Sequence, residues 1–133
     1  MGEYSPWSHV TDLEHITVHR TDLPDGIQGA TDGHSTIWLH RELLRTELRC
    51  ALAHELVHVE YGHEGRQEPD VEWTVRVQAA RRLVSLDGLL DAFRWTECPR
   101  EAATELSVTE QVILDRLDAL TPTELQTIRD RMN

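Results

Sequence analysis

Polar and apolar residues alternate along the first forty positions of the chain, and this pattern predicts strands. Residues 14–20 (Glu-His-Ile-Thr-Val-His-Arg) alternate with a period of two, as a half-buried strand does. Residues 22–26 carry a turn signal, and residues 27–30 and 35–39 have the length of a second and a third strand. Between them, the Asp-Gly step within residues 31–34 indicates a tight hairpin turn. We therefore expect a small antiparallel β-sheet.

From residue 41 onward the apolar residues recur at intervals of three and four, and this spacing predicts helices. The first helix should cover residues 41–61 and end at Gly62, because glycine terminates helices readily. Residues 107–110 (Ser-Val-Thr-Glu) and 121–124 (Thr-Pro-Thr-Glu) have the spacing of a capping box at a helix start. The further helices are expected at residues 70–86, 87–95, 99–106 and 107–117 and from residue 121 onward. The sheet and these helices together predict an α+β fold with a C-terminal helical bundle.

The length and charge of the chain limit the kind of protein it can be. Its 133 residues suit one domain, and its 24 acidic residues against 13 basic ones give a formal net charge of -11 at pH 7. An acidic chain repels phosphate backbones, so non-specific binding to nucleic acids is not expected. No apolar run approaches the roughly 18 residues of a membrane span, and the N-terminus lacks the pattern of a signal peptide. We expect a cytoplasmic protein without a membrane partner.

Histidines are concentrated in the middle of the chain, and two of them have the spacing of metal ligands. Residues 54–58 read His-Glu-Leu-Val-His and match H-E-x-x-H. Four residues advance a helix by about 400°, so His54 and His58 share one face, roughly 6 Å apart, and can bind one zinc ion. Zinc lowers the pKa of a bound water to near neutrality, and Glu55 is placed to accept its proton. The alternative is that both histidines are core residues that donate hydrogen bonds to main-chain carbonyls.

A catalytic zinc site needs a third protein ligand and keeps one position open. The candidates downstream of the motif are His63, Glu64, Glu68, Asp70 and Glu72. Glu72 is placed best, because apolar residues follow it at helical spacing and put it on the buried stripe of the second helix. Glu72 could instead form a salt bridge with Arg76 on the same helix.

These segments, taken in order, resemble the ImmA/IrrE family of metallopeptidases, in particular its short actinobacterial and phage forms. The resemblance covers about residues 14 to 120. The segments that carry it are residues 27–30, 36–39 and 49–58, then Glu72, then Ala-Ala-Arg-Arg-Leu at residues 79–83. After Glu72 the chain differs from the common family pattern, with Trp73-Thr74-Val75-Arg76 where Ala-Asn-x-Phe is usual.

The resemblance implies a single zincin-like domain across residues 1–133. A catalytic core would occupy about residues 14–86, and a helical subregion about residues 87–133. The site residues that it implies are the zinc ligands His54, His58 and Glu72 and the catalytic base Glu55.

The resemblance also implies a function, a zinc-dependent endopeptidase. Members of the family cleave or inactivate helix-turn-helix repressors and so switch phage, mobile-element or stress genes. The expected partner is therefore such a repressor, whose main chain we expect to lie along an edge strand at residues 36–39. The alternative is a non-catalytic module that binds and sequesters a repressor or an antitoxin-like partner.

Three weaker patterns leave alternatives open. Residues 102–117 have the cadence of a helix-turn-helix, but the second helix is acidic, which disfavours direct DNA binding. Cys50 lies one turn before His54, and we expect a buried thiol there rather than a metal ligand. Tyr61 and His63 could donate hydrogen bonds to a developing oxyanion, although packing at the helix end is the favoured interpretation.

Overall fold

The computed structural model describes residues 4–132, and this part of the chain forms seven helices and one three-stranded sheet. The strands are β1 (Thr17–Thr21), β2 (Gly29–Thr31) and β3 (Thr36–His40). The helices are α1 (Pro6–Asp12), α2 (Arg45–Glu60), α3 (Pro69–Leu83), α4 (Leu86–Phe93), α5 (Pro99–Leu106), α6 (Glu110–Asp118) and α7 (Pro122–Met132). The predicted α+β class is confirmed. Among the helices described, none has the length and apolar character that crossing a membrane requires.

The sheet is mixed, so the prediction of an antiparallel sheet is wrong for one of its two strand pairings. β2 is antiparallel to β3, with Gly29 opposite Leu39, as the hairpin signal predicts. β1 is parallel to β3, with Thr17 opposite Thr36. The strand order is β1-β3-β2. Residues 22–28 cross one end of the sheet, so that β1 and β2 lie on opposite sides of β3. β3 is therefore the central strand, and β2 is an edge strand.

The turn between β2 and β3 is held by the side chain of Asp32. Its carboxylate accepts hydrogen bonds from the main-chain N–H groups of residues 34, 35 and 36 at 3.0, 2.8 and 3.0 Å. These bonds hold the pKa of Asp32 well below its usual range. Gly33 has a φ of +84°, and a Cβ atom there would lie 2.4 Å from the main-chain oxygen of His63. The hairpin tip therefore packs directly against the segment that follows α2.

Helix α2 lies at the centre of the protein, because two of its faces are buried in different apolar clusters. One face packs with α1 and the sheet, in a cluster that includes Ile37, Leu39, Leu52 and Leu56. The other face packs on α3, in a cluster to which α4, α5 and α6 also contribute and that includes Ala53, Val57, Val75, Leu83, Leu89 and Ile113. Full burial of one large apolar side chain stabilises a fold by roughly 1.5–3 kcal/mol. The helix that carries residues 54–58 is therefore fixed from both sides.

The first helix is not among the predicted elements, and the second begins later than predicted. Helix α1 has no counterpart among the predicted elements. Its signal is Ser5, whose side chain accepts a hydrogen bond from a main-chain N–H at 3.2 Å, followed by Pro6 at the first helical position. Helix α2 begins at Arg45, four residues later than predicted, where the Leu44 N–H donates to the Glu47 carboxylate at 3.0 Å.

Of the two predicted capping boxes, one is absent and one is present. Ser107 does not cap α6, because it ends α5 in a left-handed conformation with a φ of 56°. Thr109 is the N-cap of α6 instead, and its side chain accepts a hydrogen bond from the Val112 N–H at 3.3 Å. At the start of α7, Thr121 and Glu124 form both reciprocal hydrogen bonds at 3.1 Å. That second capping box is confirmed.

Candidate metal centre

Three predicted site residues from two helices converge on one point. His54 and His58 lie one turn apart on α2, with 3.2 Å between their Nε2 atoms. Glu72 lies in the first turn of α3, and its Oε1 atom is 3.2 Å from Nε2 of His54 and 3.1 Å from Nε2 of His58. The structure thus brings two imidazoles together with a carboxylate that lies 14 positions after His58 and 18 after His54 in sequence.

The chemistry of this donor set fits a zinc ion. Three atoms that carry lone pairs face one another at 3.1–3.2 Å, and they attract one another only through shared protons or a cation. Ligand atoms bound to one zinc ion at about 2.0–2.1 Å in a tetrahedron lie about 3.3 Å apart. Two histidine nitrogens and one glutamate oxygen are also a frequent zinc ligand set. The spacing and the atom types therefore both suit a single divalent cation.

The environment of the two imidazoles favours the neutral form, which is the form that binds metals. Burial lowers the pKa of His54, and the neighbouring His58 lowers it further, while Glu72 acts in the opposite direction. Burial also lowers the pKa of His58, whose side chain is only 6% exposed. The neutral form leaves one nitrogen of each ring with a lone pair, which is what metal coordination requires.

Glu55 lies beside the three converging residues and is not one of them. It is 6% exposed, and burial together with the charge of Glu72 raises the pKa of Glu55 to about 8. Its side chain packs against β2, where a Cβ atom on Gly29 would lie 3.1 Å from Cγ and 3.2 Å from Oε2 of Glu55. A carboxyl group whose pKa lies near neutrality can both accept and release a proton during a reaction.

An open cleft of about 910 Å³ runs along this site. Its walls are residues 26–31, one side of α2 that includes His54, Glu55 and His58, residues 65–66, part of α3, and four residues at the start of α6, Thr109, Gln111, Val112 and Asp115. The cleft therefore gives a ligand several residues long access to Glu55 and to the cluster of His54, His58 and Glu72.

The strand that borders the cleft is β2, and the prediction that a substrate lies along an edge strand at residues 36–39 is wrong. Those residues belong to β3, which pairs on both sides. Hydrogen bonds join Gln28 to His40 at 2.9 Å and Asp32 to Thr36 at 3.3 Å. The alternation of an antiparallel ladder therefore turns the main-chain N–H and C=O groups of Gly29 away from β3, on the cleft side of the sheet.

Tyr61 and His63, the two candidate oxyanion donors, do not line the cleft. His63 lies behind His58, with 3.0 Å between their Nδ1 atoms. Tyr61 stacks on the His63 ring at a centroid distance of 5.5 Å, and its hydroxyl oxygen accepts a hydrogen bond from the Gln78 amide. In this arrangement both rings pack at the end of α2, as the favoured interpretation expects.

The remaining candidates take no part in the cluster of His54, His58 and Glu72. Among the residues described, Glu64, Glu68 and Asp70 do not converge with it. The alternative salt bridge between Glu72 and Arg76 does not form, because Arg76 pairs with Asp115 on α6 at 2.6 Å. Cys50 is a buried free thiol whose pKa is raised by burial, as expected for a core cysteine.

One site residue, Gly29, is not identified by sequence reasoning. A glycine in a short strand resembles any turn-flanking glycine, and it lies far from Glu55 in sequence. Only the packing of β2 on α2 shows that a side chain at position 29 would crowd the Glu55 carboxylate.

The chain was also compared with known proteins. Comparisons with models of protein families, with curated proteins and with solved structures found no match.

Proposed function

We propose that this protein is a zinc-dependent endopeptidase of the ImmA/IrrE type. The observation that carries the proposal is the convergence of His54, His58 and Glu72 within 3.1–3.2 Å, beside an open cleft. The buried Glu55 carboxyl next to this cluster supplies the group that would accept a proton, because the positive charge of a bound cation would favour its ionised form. An edge strand along the cleft supplies main-chain groups that can bind an extended peptide.

Zinc, when bound, would act as a Lewis acid toward the scissile carbonyl and would lower the pKa of water. His54, His58 and Glu72 would hold the ion. Glu55 would accept a proton from the attacking water as the new C–O bond forms. It would then give that proton to the leaving nitrogen as the C–N bond breaks. The main-chain groups of Gly29 would orient the substrate by adding it to β2 as a further strand.

The proposed substrate is a helix-turn-helix repressor, as the resemblance implies. Direct binding of DNA by this chain is disfavoured by its net charge of -11. In addition, α6, the second helix of the helix-turn-helix pattern at residues 102–117, packs against other parts of the protein. Gln111, Val112 and Asp115 of α6 line the cleft, and Asp115 is buried against α3 through Arg76. A protein partner therefore fits this surface better than a nucleic acid does.

A cleavage assay with a matched variant tests the proposal. The zinc-loaded protein is incubated with a peptide library that covers helix-turn-helix repressor sequences, and the fragments are identified by mass spectrometry. Glu55→Gln should bind zinc as the wild type does and cleave at least about 100-fold more slowly, because a general base contributes 10²–10⁴-fold. A chelator should stop cleavage by the wild type, and added zinc should restore it.

Glu64→Gln is the control, because it removes an exposed carboxylate just after α2 without touching the cleft. It should cleave as fast as the wild type. If Glu55→Gln also cleaves at the wild-type rate, Glu55 is not the base. If the wild type forms a stable complex with a repressor and releases no fragments, the alternative of a sequestering module replaces the peptidase.

A further inference from the structure

The imidazole of His63 contacts the one nitrogen of His58 that the cluster of His54, His58 and Glu72 does not use. Nε2 of His58 points toward Glu72 Oε1 at 3.1 Å, and Nδ1 of His58 points the other way, toward Nδ1 of His63 at 3.0 Å. The two rings meet edge to face, with 5.2 Å between their centroids. His58 is thus held between a carboxylate on one side and a second imidazole on the other.

This contact couples the ring hydrogen of His58 to that of His63, because one of the two facing Nδ1 atoms must donate and the other accept. If Nε2 of His58 donates its lone pair to a metal, its Nδ1 must carry the hydrogen. That N–H group then donates to Nδ1 of His63, which accepts and has its own hydrogen on Nε2. The reverse assignment would place the hydrogen of His58 on the nitrogen that faces the metal position. As the acceptor of that bond, His63 therefore stabilises the tautomer of His58 that can bind a metal.

The His63 ring is held in place by three neighbouring segments. Its own main-chain N–H donates to the carbonyl of His58 at 3.0 Å, in a turn that passes through Gly62 with a φ of +67°. Its main-chain oxygen packs against Gly33 at the tip of the β2–β3 hairpin. Its ring stacks on Tyr61, whose hydroxyl oxygen accepts a hydrogen bond from Gln78 of α3. The ring is therefore fixed before any ligand binds.

We propose that His63 is a positioning residue that orients His58 for metal binding. The inference rests on the metal site of the proposed function, and it does not depend on peptidase activity. Partners that hydrogen-bond to metal-binding histidines typically change metal affinity by 10–100-fold when they are removed. His63 therefore has a role in metal binding although it is not itself one of the converging ligands.

Two substitutions with opposite hydrogen-bonding ability test the proposal. His63→Leu removes the acceptor and keeps much of the volume, whereas His63→Asn places an amide oxygen near the position of Nδ1. His15→Leu is the control for the loss of one histidine, because His15 is exposed and lies outside the site. The dissociation constant for zinc alone is measured by competition with a chromophoric chelator.

We expect His63→Leu to weaken zinc binding by about 10–100-fold, and His63→Asn and His15→Leu to stay within about threefold of the wild type. Equal zinc affinity in the wild type and His63→Leu would overturn the proposal, as would an Asn variant as weak as the Leu variant. If the wild type binds no zinc, the metal site and this inference both fail. If it binds zinc but cleaves nothing, only the peptidase proposal fails.

Nitrogen NMR of the zinc-loaded wild type gives a second test that needs no variant. The expected spectrum has the ring hydrogen of His58 on Nδ1 and that of His63 on Nε2. A hydrogen on Nδ1 of His63 would overturn the proposal, because His63 could not then accept the bond.

Discussion

At the scale of single residues, the most consequential feature is the burial of the Glu55 carboxyl. It lies against Gly29 on one side and near the carboxylate of Glu72 on the other. Both burial and the like charge disfavour its ionised form, which raises its pKa from the ordinary value of 4.5 to about 8. Such a group is costly for the folded state once it ionises, and this cost has a measurable pH dependence.

The sign of that dependence follows from proton binding. Between about pH 4.5 and 8 the folded chain keeps a proton on Glu55 that the unfolded chain has lost. The free energy of unfolding therefore falls as the pH rises through this window, and it is unaffected by Glu55 below it. We expect Glu55→Gln to stabilise the metal-free protein at pH 8 by on the order of 1–3 kcal/mol and to have little effect at pH 4.5.

Chemical denaturation at both pH values, with a chelator present, measures this difference. Glu64→Gln serves again as the control, because it removes one exposed carboxylate elsewhere. If the free energy of unfolding has the same pH profile in the wild type and in Glu55→Gln, the pKa of the Glu55 carboxyl is not raised.

Gly29 leaves space for the Glu55 side chain, and a methyl group at this position should displace it. In Gly29→Ala the new Cβ would lie 3.1 Å from Cγ of Glu55 and 3.3 Å from Cδ2 of Leu39, closer than ordinary contact. Since small displacements of a catalytic group are costly, we expect peptidase activity to fall by about tenfold or more while zinc affinity is unchanged. Steady-state kinetics and zinc titration distinguish these two effects.

Thr17→Ala is the control, because Thr17 is an exposed residue of β1 that does not line the cleft. It should retain most of the activity. Full activity in Gly29→Ala would mean that Glu55 adjusts freely, and that Gly29 has no part in positioning it.

At the scale of elements, the carboxylate of Glu124 joins helix α7 to α3 and α6. Glu124 accepts from Arg116 at 2.8 Å and from Arg81 at 2.9 Å, and Arg116 also donates to the carbonyl of Val84 at 2.8 Å. Arg116 is only 2% exposed, so its charge depends on Glu124 for compensation. Arg116 and then Arg81 lower the pKa of Glu124 to about 2.

Glu124→Gln should therefore destabilise the protein by about 2–3 kcal/mol, because it leaves Arg116 buried without a counter-charge. The stabilisation by the carboxylate is complete above its ordinary pKa of 4.5 and is lost as the pH falls toward about 2. Denaturation at pH 7 measures the loss. Asp87→Asn breaks the exposed pair with Arg131 instead and should cost less than about 1 kcal/mol. Equal effects of the two substitutions would contradict the attachment of α7 by Glu124.

The helices were more predictable from the sequence than the sheet was, for a physical reason. A helix depends on contacts three and four residues apart, and the predicted element at residues 99–106 coincides with α5. The pairing of β1 with β3 depends instead on where residues 22–28 carry the chain, which no local pattern encodes. The same limit applies to Ser107, because the start of α6 depends on how α5 ends.

At the scale of the whole molecule, the candidate site lies where the two apolar clusters meet. Helix α2 is buried on one side by the sheet and on the other by the helical layer, and its remaining side faces the cleft. The spacing of His54 and His58 is local and could be predicted, and Glu72 could be inferred from its place on a buried stripe. The contributions of Gly29 and His63 could not be predicted, since both arise from packing between distant segments.

The proposed metal site holds one divalent cation between His54, His58 and Glu72. Its most direct test is the zinc content of the purified protein, measured by elemental analysis for the wild type and for His58→Ala, Glu72→Ala and the exposed-site control His15→Ala. We expect about one zinc ion per chain in the wild type and the control, and a large loss in His58→Ala and Glu72→Ala. A wild type that binds no zinc, or a Glu72→Ala variant that keeps the full amount, would contradict it.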